Sequence, residues 1–230
     1  MILMKFKNLH VFVFTIFLLI DIFVFSYDYE FQDLGSAQRV AAIEKKMTIV
    51  MFSSQSCYYC KLFDKDTLTD KNVQDFMRAN YIFVRLEESN YKTTFMGKTY
   101  TNSQLFSLFG IRGTPTFIFL SGDSMVTQVP GYMPATDFLK ALKYLVRVTE
   151  ENYKESFDNY VKKADNLTGK PKLINVSKAD ADYIIKYDKN SEQIDKLPEK
   201  IDKNKVYVTY SEDVAKKLNE AGVIRVLLAK

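Results

Sequence analysis

Histidine and cysteine are scarce in this chain of 230 residues, and each shortage excludes a class of function. The chain has one His, two Cys and no Trp. Because the single histidine is His10, near the amino terminus, we expect no His-based acid–base catalysis in the folded part. A zinc site takes about four Cys, His or acidic ligands, and a disulfide framework takes several Cys pairs. We therefore expect no metal and no disulfide framework.

Phosphate-binding glycine motifs are also missing, since neither G-x-x-x-x-G-K-[ST] nor G-x-G-x-x-G occurs. Thirty-two Lys and Arg against 28 Asp and Glu give a net charge of only +4. Nucleic-acid binding needs a basic stripe or cluster, so we expect no nucleic-acid partner. Apolar residues make up 47% of the chain, which is enough to bury a core and excludes global disorder.

The amino-terminal residues have the pattern of an export signal. Lys5 and Lys7 precede residues 11–20, which are apolar apart from one threonine. This stretch is shorter than the roughly 20 residues of a membrane span. Asp21 also disfavours a span, because a central Asp costs roughly 2.5–3.5 kcal/mol. The pattern predicts a signal peptide cleaved after Ser26, with an uncleaved membrane anchor as the alternative.

Either form of this segment places the remaining chain outside the cytoplasm, where disulfides persist. Residues 227–230 are not a retention tetrapeptide of the endoplasmic reticulum. We therefore predict an extracytoplasmic location, in the bacterial periplasm or cell envelope.

Charged residues are about twice as dense after residue 149 as before it. This change divides the chain into four predicted segments. They are a signal peptide or membrane anchor (1–26), a first domain (27–148), a linker helix (149–170) and a small α/β domain (171–230).

Helical and strand patterns alternate in the first domain, which predicts an α/β fold with a mixed sheet between helices. Ser36 is the expected N-cap of the first helix. The helices are predicted over 36–46, 57–63, 72–80, 103–109 and 134–148. The strands are predicted over 47–52, 81–86, 116–120 and 125–129, with a small hairpin over 93–101.

The chemistry is expected at Cys57-Tyr58-Tyr59-Cys60, a C-x-x-C that follows a buried strand and opens a helix. Free N–H groups and the helix dipole at that position lower the pKa of a thiol, and the thiolate is the nucleophile. Cys60 lies one turn further on and can resolve a mixed disulfide formed at Cys57. A purely structural disulfide and half of a metal site are the alternatives.

Three stretches resemble the thioredoxin family. They are residues 48–52, the Cys57–Cys60 motif with Lys61, and Gly-Ile-Arg-Gly-Thr-Pro-Thr-Phe at 110–117. The resemblance covers about residues 36–148, and the extra segment over 91–101 is similar to that of exported thioredoxin-like proteins.

This resemblance implies a thioredoxin-like mixed sheet and several site residues. Pro115 would be cis and face the two cysteines, with the backbone of Thr114 offered to an extended substrate. Gly131 matches a glycine that keeps the substrate groove open. Tyr58 and Tyr59 replace the family's Gly-Pro, and Tyr58 is either a contact surface for partners or a side chain packed on its helix.

Two further positions depart from the family pattern. Ser56 replaces the family's Trp, and Met51 replaces a buried acid that in thioredoxins helps to move the proton of the second Cys. Its absence predicts slower resolution, or a relay by water or Glu44.

The last third of the chain has mixed patterns. A helix is predicted over 149–167 and another from Ser211 to Gly222, with strands over 173–176, 183–186, 206–210 and 223–228. Residues 197–205 and 215–223 faintly resemble a rhodanese domain. Its catalytic Cys and anion loop are missing, so a shortened, inactive relative and an unrelated α/β appendage are both open.

These patterns predict an exported thiol–disulfide oxidoreductase, a reductase rather than an oxidase, that needs no cofactor. Cys57 and Cys60 exchange disulfides, and Tyr58, Tyr59, Thr114, Pro115 and Gly131 bind substrate. The expected partners are protein dithiols or disulfides and a membrane or soluble redox protein. One alternative is a non-catalytic binding or scaffold module. Another is an enzyme for one small sulfur compound, which deletion of residues 150–230 would distinguish.

Overall fold

Two larger sheets and one two-stranded hairpin organise the part of the chain that the computed structural model describes, residues 27–230. The first half contains β1 (Glu30–Phe31), α1 (Leu34–Glu44), β2 (Met47–Ser53), α2 (Tyr58–Leu62), a π-helix (Phe63–Thr67), α3 (Lys71–Asn80), β3 (Tyr81–Glu87), β4 (Lys92–Phe95), β5 (Lys98–Thr101), α4 (Asn102–Leu108), β6 (Thr116–Ser121) and β7 (Ser124–Pro130). The second half contains α5 (Ala135–Glu151), α6 (Phe157–Tyr160), β8 (Lys172–Val176), α7 (Lys178–Tyr187), β9 (Ser191–Gln193), β10 (Val206–Thr209), α8 (Glu212–Glu220) and β11 (Arg225–Ala229).

The predicted signal peptide or anchor, residues 1–26, lies outside the described residues. From residue 27 onwards, no helix has both the length and the apolar character that crossing a bilayer requires.

The first sheet is mixed, with strand order β1-β3-β2-β6-β7. β2 pairs parallel with β3 and antiparallel with β6. Every residue of β2 is buried, and alternate side chains enter two apolar clusters: Val50 and Phe52 the first, Ile49 and Met51 the second. A strand buried on both faces explains the continuous apolar run at this point of the sequence. The predicted mixed sheet between helices is confirmed.

The first helix begins two residues before its predicted start. The Asp33 carboxylate accepts a 2.7 Å hydrogen bond from the Ser36 backbone N–H, so Asp33 is the N-cap and the predicted Ser36 cap is wrong. Thr93 also donates to Asp33. This bond ties the predicted and confirmed hairpin, β4-β5, to the start of α1.

The second sheet is parallel throughout, with strand order β8-β11-β10-β9. The strand predicted over 183–186 is wrong, because these residues belong to α7. Ser177 caps α7 by accepting from the Asp180 N–H, and its buried residues are Ala181 and Ile184, three apart. The Ser211 cap of α8 agrees with prediction.

The linker helix predicted over 149–170, like its core at 149–167, is wrong. α5 ends at Asn152, which has a left-handed backbone (φ 56°). Only one short helix follows before β8, and the intervening backbone is irregular. Asp165 holds this segment in place by accepting hydrogen bonds from Arg147 and Tyr160.

The two sheets share one buried apolar cluster. Its members from the second half are Ala181, Ile184, Val206, Val208, Leu227 and Ala229, and they join side chains of α1, β2 and β6. Arg225, 1% exposed, donates to backbone carbonyls of Glu44, Lys45 and Lys170. The second sheet is therefore anchored to the end of α1.

Candidate active site

Cys57 is the N-cap of α2, and a short loop separates it from the end of β2. Its backbone is extended, and its Sγ accepts a hydrogen bond from the Cys60 N–H at 3.0 Å. Cys57 and Cys60 form a disulfide with Cα atoms 5.3 Å apart. Cys57 is half-buried, whereas Cys60 is 2% exposed. An incoming sulfur atom can therefore reach Cys57 and not Cys60.

The π-helix that continues α2 fixes the helix to its surroundings. Phe63 is fully buried and contacts the rings of Phe117 and Phe138. Thr67 donates to the carbonyl of Met133, in the loop after β7, at 2.7 Å. The helix that carries the cysteine pair is therefore fixed by packing of Phe63 in the core and by the hydrogen bond from Thr67.

The side chains between the cysteines face solvent. Tyr58 is 70% exposed and Tyr59 56% exposed, and their rings meet edge to face at 5.4 Å. Tyr59 also stacks on Tyr132 at 6.4 Å. The three rings form an aromatic surface next to Cys57, which we call the tyrosine patch. Tyr132 was not among the predicted site residues. Its position directly after Gly131, which was predicted to bind substrate, could have indicated it.

The predicted residues Thr114, Pro115 and Gly131 lie together. The Thr114–Pro115 bond is cis, and the Gly131 N–H donates to the Pro115 carbonyl at 2.8 Å. Gly131 has φ 95°, a backbone conformation that side-chain-bearing residues avoid. Ser54 Oγ, in the loop before Cys57, lies 3.4 Å from Thr114 Oγ1 and links this loop to the cysteine loop.

A groove of about 590 Å³ runs beside these residues. Its lining includes Phe109, Arg112, Thr114, Pro115, Gln128 and Gly131. Neither cysteine and no member of the tyrosine patch lines this groove, so the predicted substrate residues divide into two neighbouring surfaces.

The acid considered for the relay is remote from the cysteines. Glu44 precedes β2 and Cys57 follows it, and a strand of that length spans about 20 Å. Glu44 is buried against Lys46, with Nζ to Oε2 at 2.8 Å, and burial raises its pKa to about 8. A relay through Glu44 is therefore wrong. Within residues 27–230, no three His, Cys, Asp or Glu side chains cluster closely enough to hold a metal.

Comparison with known proteins relates the part of the chain that carries this site to a family. The thioredoxin-like domain family matches residues 34–146. A curated relative, the thiol:disulfide interchange protein DsbD of Tatumella citrea, is 28% identical over 122 residues. That alignment covers 50% of this chain and 20% of the relative. The chain therefore matches only a fifth of the relative's length.

Solved structures with a similar fold include a thioredoxin-fold protein from Helicobacter pylori. It has 20% identity and a TM-score of 0.44, with coverage of 55% of this chain and 94% of that one. A thioredoxin from Thermus thermophilus has 24% identity and a TM-score of 0.43, with coverage of 53% and 91%. The family match identifies residues 34–146, which carry the Cys57–Cys60 pair, as a thioredoxin-like domain.

Proposed function

We propose that the chain is an exported oxidoreductase that reduces disulfides of protein substrates. The observation that carries this proposal is the asymmetry of the cysteine pair. The accessible sulfur belongs to Cys57 at a helix N-terminus, and the resolving sulfur of Cys60 is buried one turn below it. A disulfide with a purely structural role would not need one reachable sulfur at an N-cap.

The reaction proceeds in two exchanges. The Cys57 thiolate attacks a substrate disulfide, forms a mixed disulfide and releases the first substrate thiolate. Cys60 then loses its proton and attacks the Cys57 sulfur, which closes the Cys57–Cys60 disulfide and releases the second substrate thiolate. Two electrons pass to the substrate, and a dithiol redox protein restores the pair.

Two surfaces would hold the substrate near Cys57. The groove beside Thr114 and Pro115 is left open by Gly131, which has no side chain. The backbone of Thr114 and Pro115 is therefore suited to bind an extended chain there. The tyrosine patch offers exposed aromatic area, which is enriched in protein interfaces. A protein substrate can contact both surfaces, while a small disulfide reaches only the sulfur.

The environment of the Cys57 sulfur favours the reducing direction. A strong oxidant of this kind owes its potential to a stabilised reduced form. Here the sulfur accepts one backbone hydrogen bond, and within residues 27–230 it accepts none from a cationic side chain. A thiolate stabilised by the helix N-terminus alone, with no cationic partner, leaves the disulfide more stable than in a strong oxidant, which corresponds to a lower potential.

A redox titration of the chain from residue 27 onwards tests this proposal. Free thiols are counted by alkylation and mass across glutathione and dithiothreitol buffers. A midpoint near −270 mV, about that of thioredoxin, supports a reductase, and one near −120 mV would indicate an oxidant instead. A pair that stays oxidised throughout would favour the binding module.

Two variants complete the test. Cys57→Ser should abolish exchange, and retained activity would contradict the proposed mechanism. Cys60→Ser should accumulate a stable mixed disulfide, because its resolving thiol is gone. Export is tested separately by fusing residues 1–26 to a reporter that is active only outside the cytoplasm, with Lys5→Glu and Lys7→Glu as the control.

A further inference from the structure

The groove beside Thr114 has one charged residue in its lining. Ten residues line the groove, and Arg112 is the only one of them that ionises. Each of the other five arginines of residues 27–230 pairs with a carboxylate. Within the same residues Arg112 has no such partner, and it is exposed. A positive charge without a counter-ion therefore lies at this groove.

Glycines leave the backbone in the wall of the groove uncovered. A Cβ atom at Gly110, Gly113 or Gly131 would lie in open space, with no neighbouring atom within 4 Å. Bare backbone of this kind lets a second chain approach closely. The Thr116 hydroxyl donates to the Gly113 carbonyl at 2.7 Å and fixes this stretch in place. The groove thus presents a rigid strip of main chain next to Arg112.

Thr114 has free backbone groups at the centre of this strip. The carbonyls of Gly113 and Pro115 on either side of it already accept hydrogen bonds from the Thr116 hydroxyl and the Gly131 N–H. Within residues 27–230, the N–H and carbonyl of Thr114 have no backbone partner. An extended peptide can pair with both groups as a neighbouring strand would.

Two hydrogen bonds connect Thr114 to the reactive cysteine. The Cys57 N–H donates to the Ser54 carbonyl at 3.0 Å, and Ser54 Oγ lies 3.4 Å from Thr114 Oγ1. Arg112 lies two residues further from this junction along the chain. An extended chain advances about 3.3 Å per residue, so a peptide paired with Thr114 and bonded to Cys57 places a side chain about two to four residues from its cysteine beside Arg112.

We propose that the groove selects substrate segments with an Asp or Glu about two to four residues from the reacting cysteine, and that Arg112 binds this carboxylate. A guanidinium is planar and can hold a carboxylate through two parallel hydrogen bonds. No acidic residue lines the groove to repel it, and Gln128 on β7 offers a further amide donor. This inference rests on the proposed exchange function and names the class of protein segment that it acts on.

Peptide disulfides that differ only in the position of one Glu test the inference. Each is mixed with the reduced chain from residue 27 onwards, and the second-order rate constant of reduction is measured against the matching Gln peptide. Glu at one position should raise the rate constant about fivefold at low salt. The advantage should fall as ionic strength rises, because the pair is screened.

Substitutions of Arg112 assign that advantage to its charge. Arg112→Gln should remove it, and Arg112→Glu should transfer it to the peptide with Lys at the same position. Lys140→Gln is the matched control, because Lys140 is also exposed but lies on α5, outside the groove. It should keep the preference for Glu. A neutral small disulfide, hydroxyethyl disulfide, should react equally with the wild type and Arg112→Gln.

Gly113→Val tests occupation of the groove independently of charge. Its side chain enters open space and should leave the fold intact, but it narrows the groove. It should slow reduction of the Glu peptide at least about tenfold and leave hydroxyethyl disulfide unaffected.

A preference for Glu that survives in Arg112→Gln, or no preference at any position, would overturn the inference while the peptides are still reduced. Equal slowing of peptide and hydroxyethyl disulfide by Arg112→Gln would also overturn it, since the arginine would then act on the sulfur. If the wild type reduced no peptide at all, the proposed oxidoreductase function would fail first.

Discussion

At the scale of single residues, we predict that the tyrosine patch favours protein substrates over small ones. Tyr58 and Tyr59 directly follow Cys57 at the start of α2, and more than half of each side chain is exposed to water instead of packing in the core. Aromatic side chains in such places carry a large share of binding energy at protein interfaces. Their effect should therefore appear only when the substrate is large enough to cover them.

The double variant Tyr58→Ser, Tyr59→Ser should lower kcat/KM about tenfold for a protein disulfide, because aromatic contact area is lost. With dithiobis(nitrobenzoate), kcat/KM should stay within about twofold of the wild type, since this reagent is too small to bridge both rings. Tyr91→Ser is the matched control, because Tyr91 is 57% exposed but belongs to the hairpin segment. Equal losses with both substrates would contradict a docking role.

Sequence reasoning placed the two cysteines correctly because spacing and local geometry determine their position. A C-x-x-C after a buried strand requires Cys57 at an N-cap, and the structure has it there. Residues joined only through tertiary packing were missed. Ser54 meets Thr114, and Arg85 meets Asp64, across 60 and 21 positions of the chain, and no periodicity in the sequence reports such pairs.

At the scale of elements, short apolar runs were the weakest signals. Residues 183–186 fit a strand and a helix equally well in sequence, and only the Ser177 cap and the spacing of Ala181 and Ile184 identify the helix. The predicted linker helix failed at Asn152, whose left-handed backbone ends α5. The long alternation of strands and helices in residues 34–146 was predicted well because helices such as α3 and α5 are amphipathic and β2 is a continuous apolar run.

The junction of α1 and β2 should make stability depend on pH. Glu44 faces Lys46 and Asp188, its backbone carbonyl accepts from Arg225, and burial raises its pKa to about 8 from an ordinary value of 4.5. Between these two values the folded state binds more protons than the unfolded state, so Glu44 makes stability fall as pH rises. Glu44→Gln, which mimics the protonated acid, should match the wild type near about pH 5 and exceed its Tm near about pH 9.

Glu151→Gln provides the opposite sign as a control. A hydrogen bond from Arg147 holds the pKa of Glu151 below its ordinary value, so this carboxylate stabilises the fold when it is ionised and loses that effect as pH falls through its pKa. Its Tm deficit should disappear as pH falls. Thermal unfolding followed by circular dichroism across this pH range checks both variants, and parallel wild-type and Glu44→Gln profiles would contradict the assignment.

At the scale of the whole molecule, Arg225 joins the two sheets. Its guanidinium is buried and satisfies carbonyls contributed by Glu44, Lys45 and Lys170. Arg225→Ala leaves those carbonyls without a donor and should destabilise the protein by about 3–5 kcal/mol in urea unfolding. Arg39→Ala, whose side chain is 53% exposed at the same junction, should cost about 1 kcal/mol or less. Similar costs for both would mean that Arg225 is not an anchor.

The shared cluster also determines what happens when the second half is removed. Deleting residues 153–230 takes away the six buried apolar side chains that join α1, β2 and β6, together with the Arg225 anchor. An exposed apolar face of this kind promotes association. We therefore expect the fragment 27–152 to aggregate or unfold at temperatures where the longer chain is stable.

Size-exclusion chromatography and circular dichroism of 27–152 and 27–230 measure this difference directly. Adding residues 153–230 as a separate chain should restore the soluble, folded state, because the missing contacts return without the covalent link. A fragment 27–152 that folds alone with the Tm of the longer chain would contradict the shared core. In that case, deletion would become a clean test of whether the second half selects a substrate. With the shared core intact, only point variants such as Arg225→Ala can separate stability from activity.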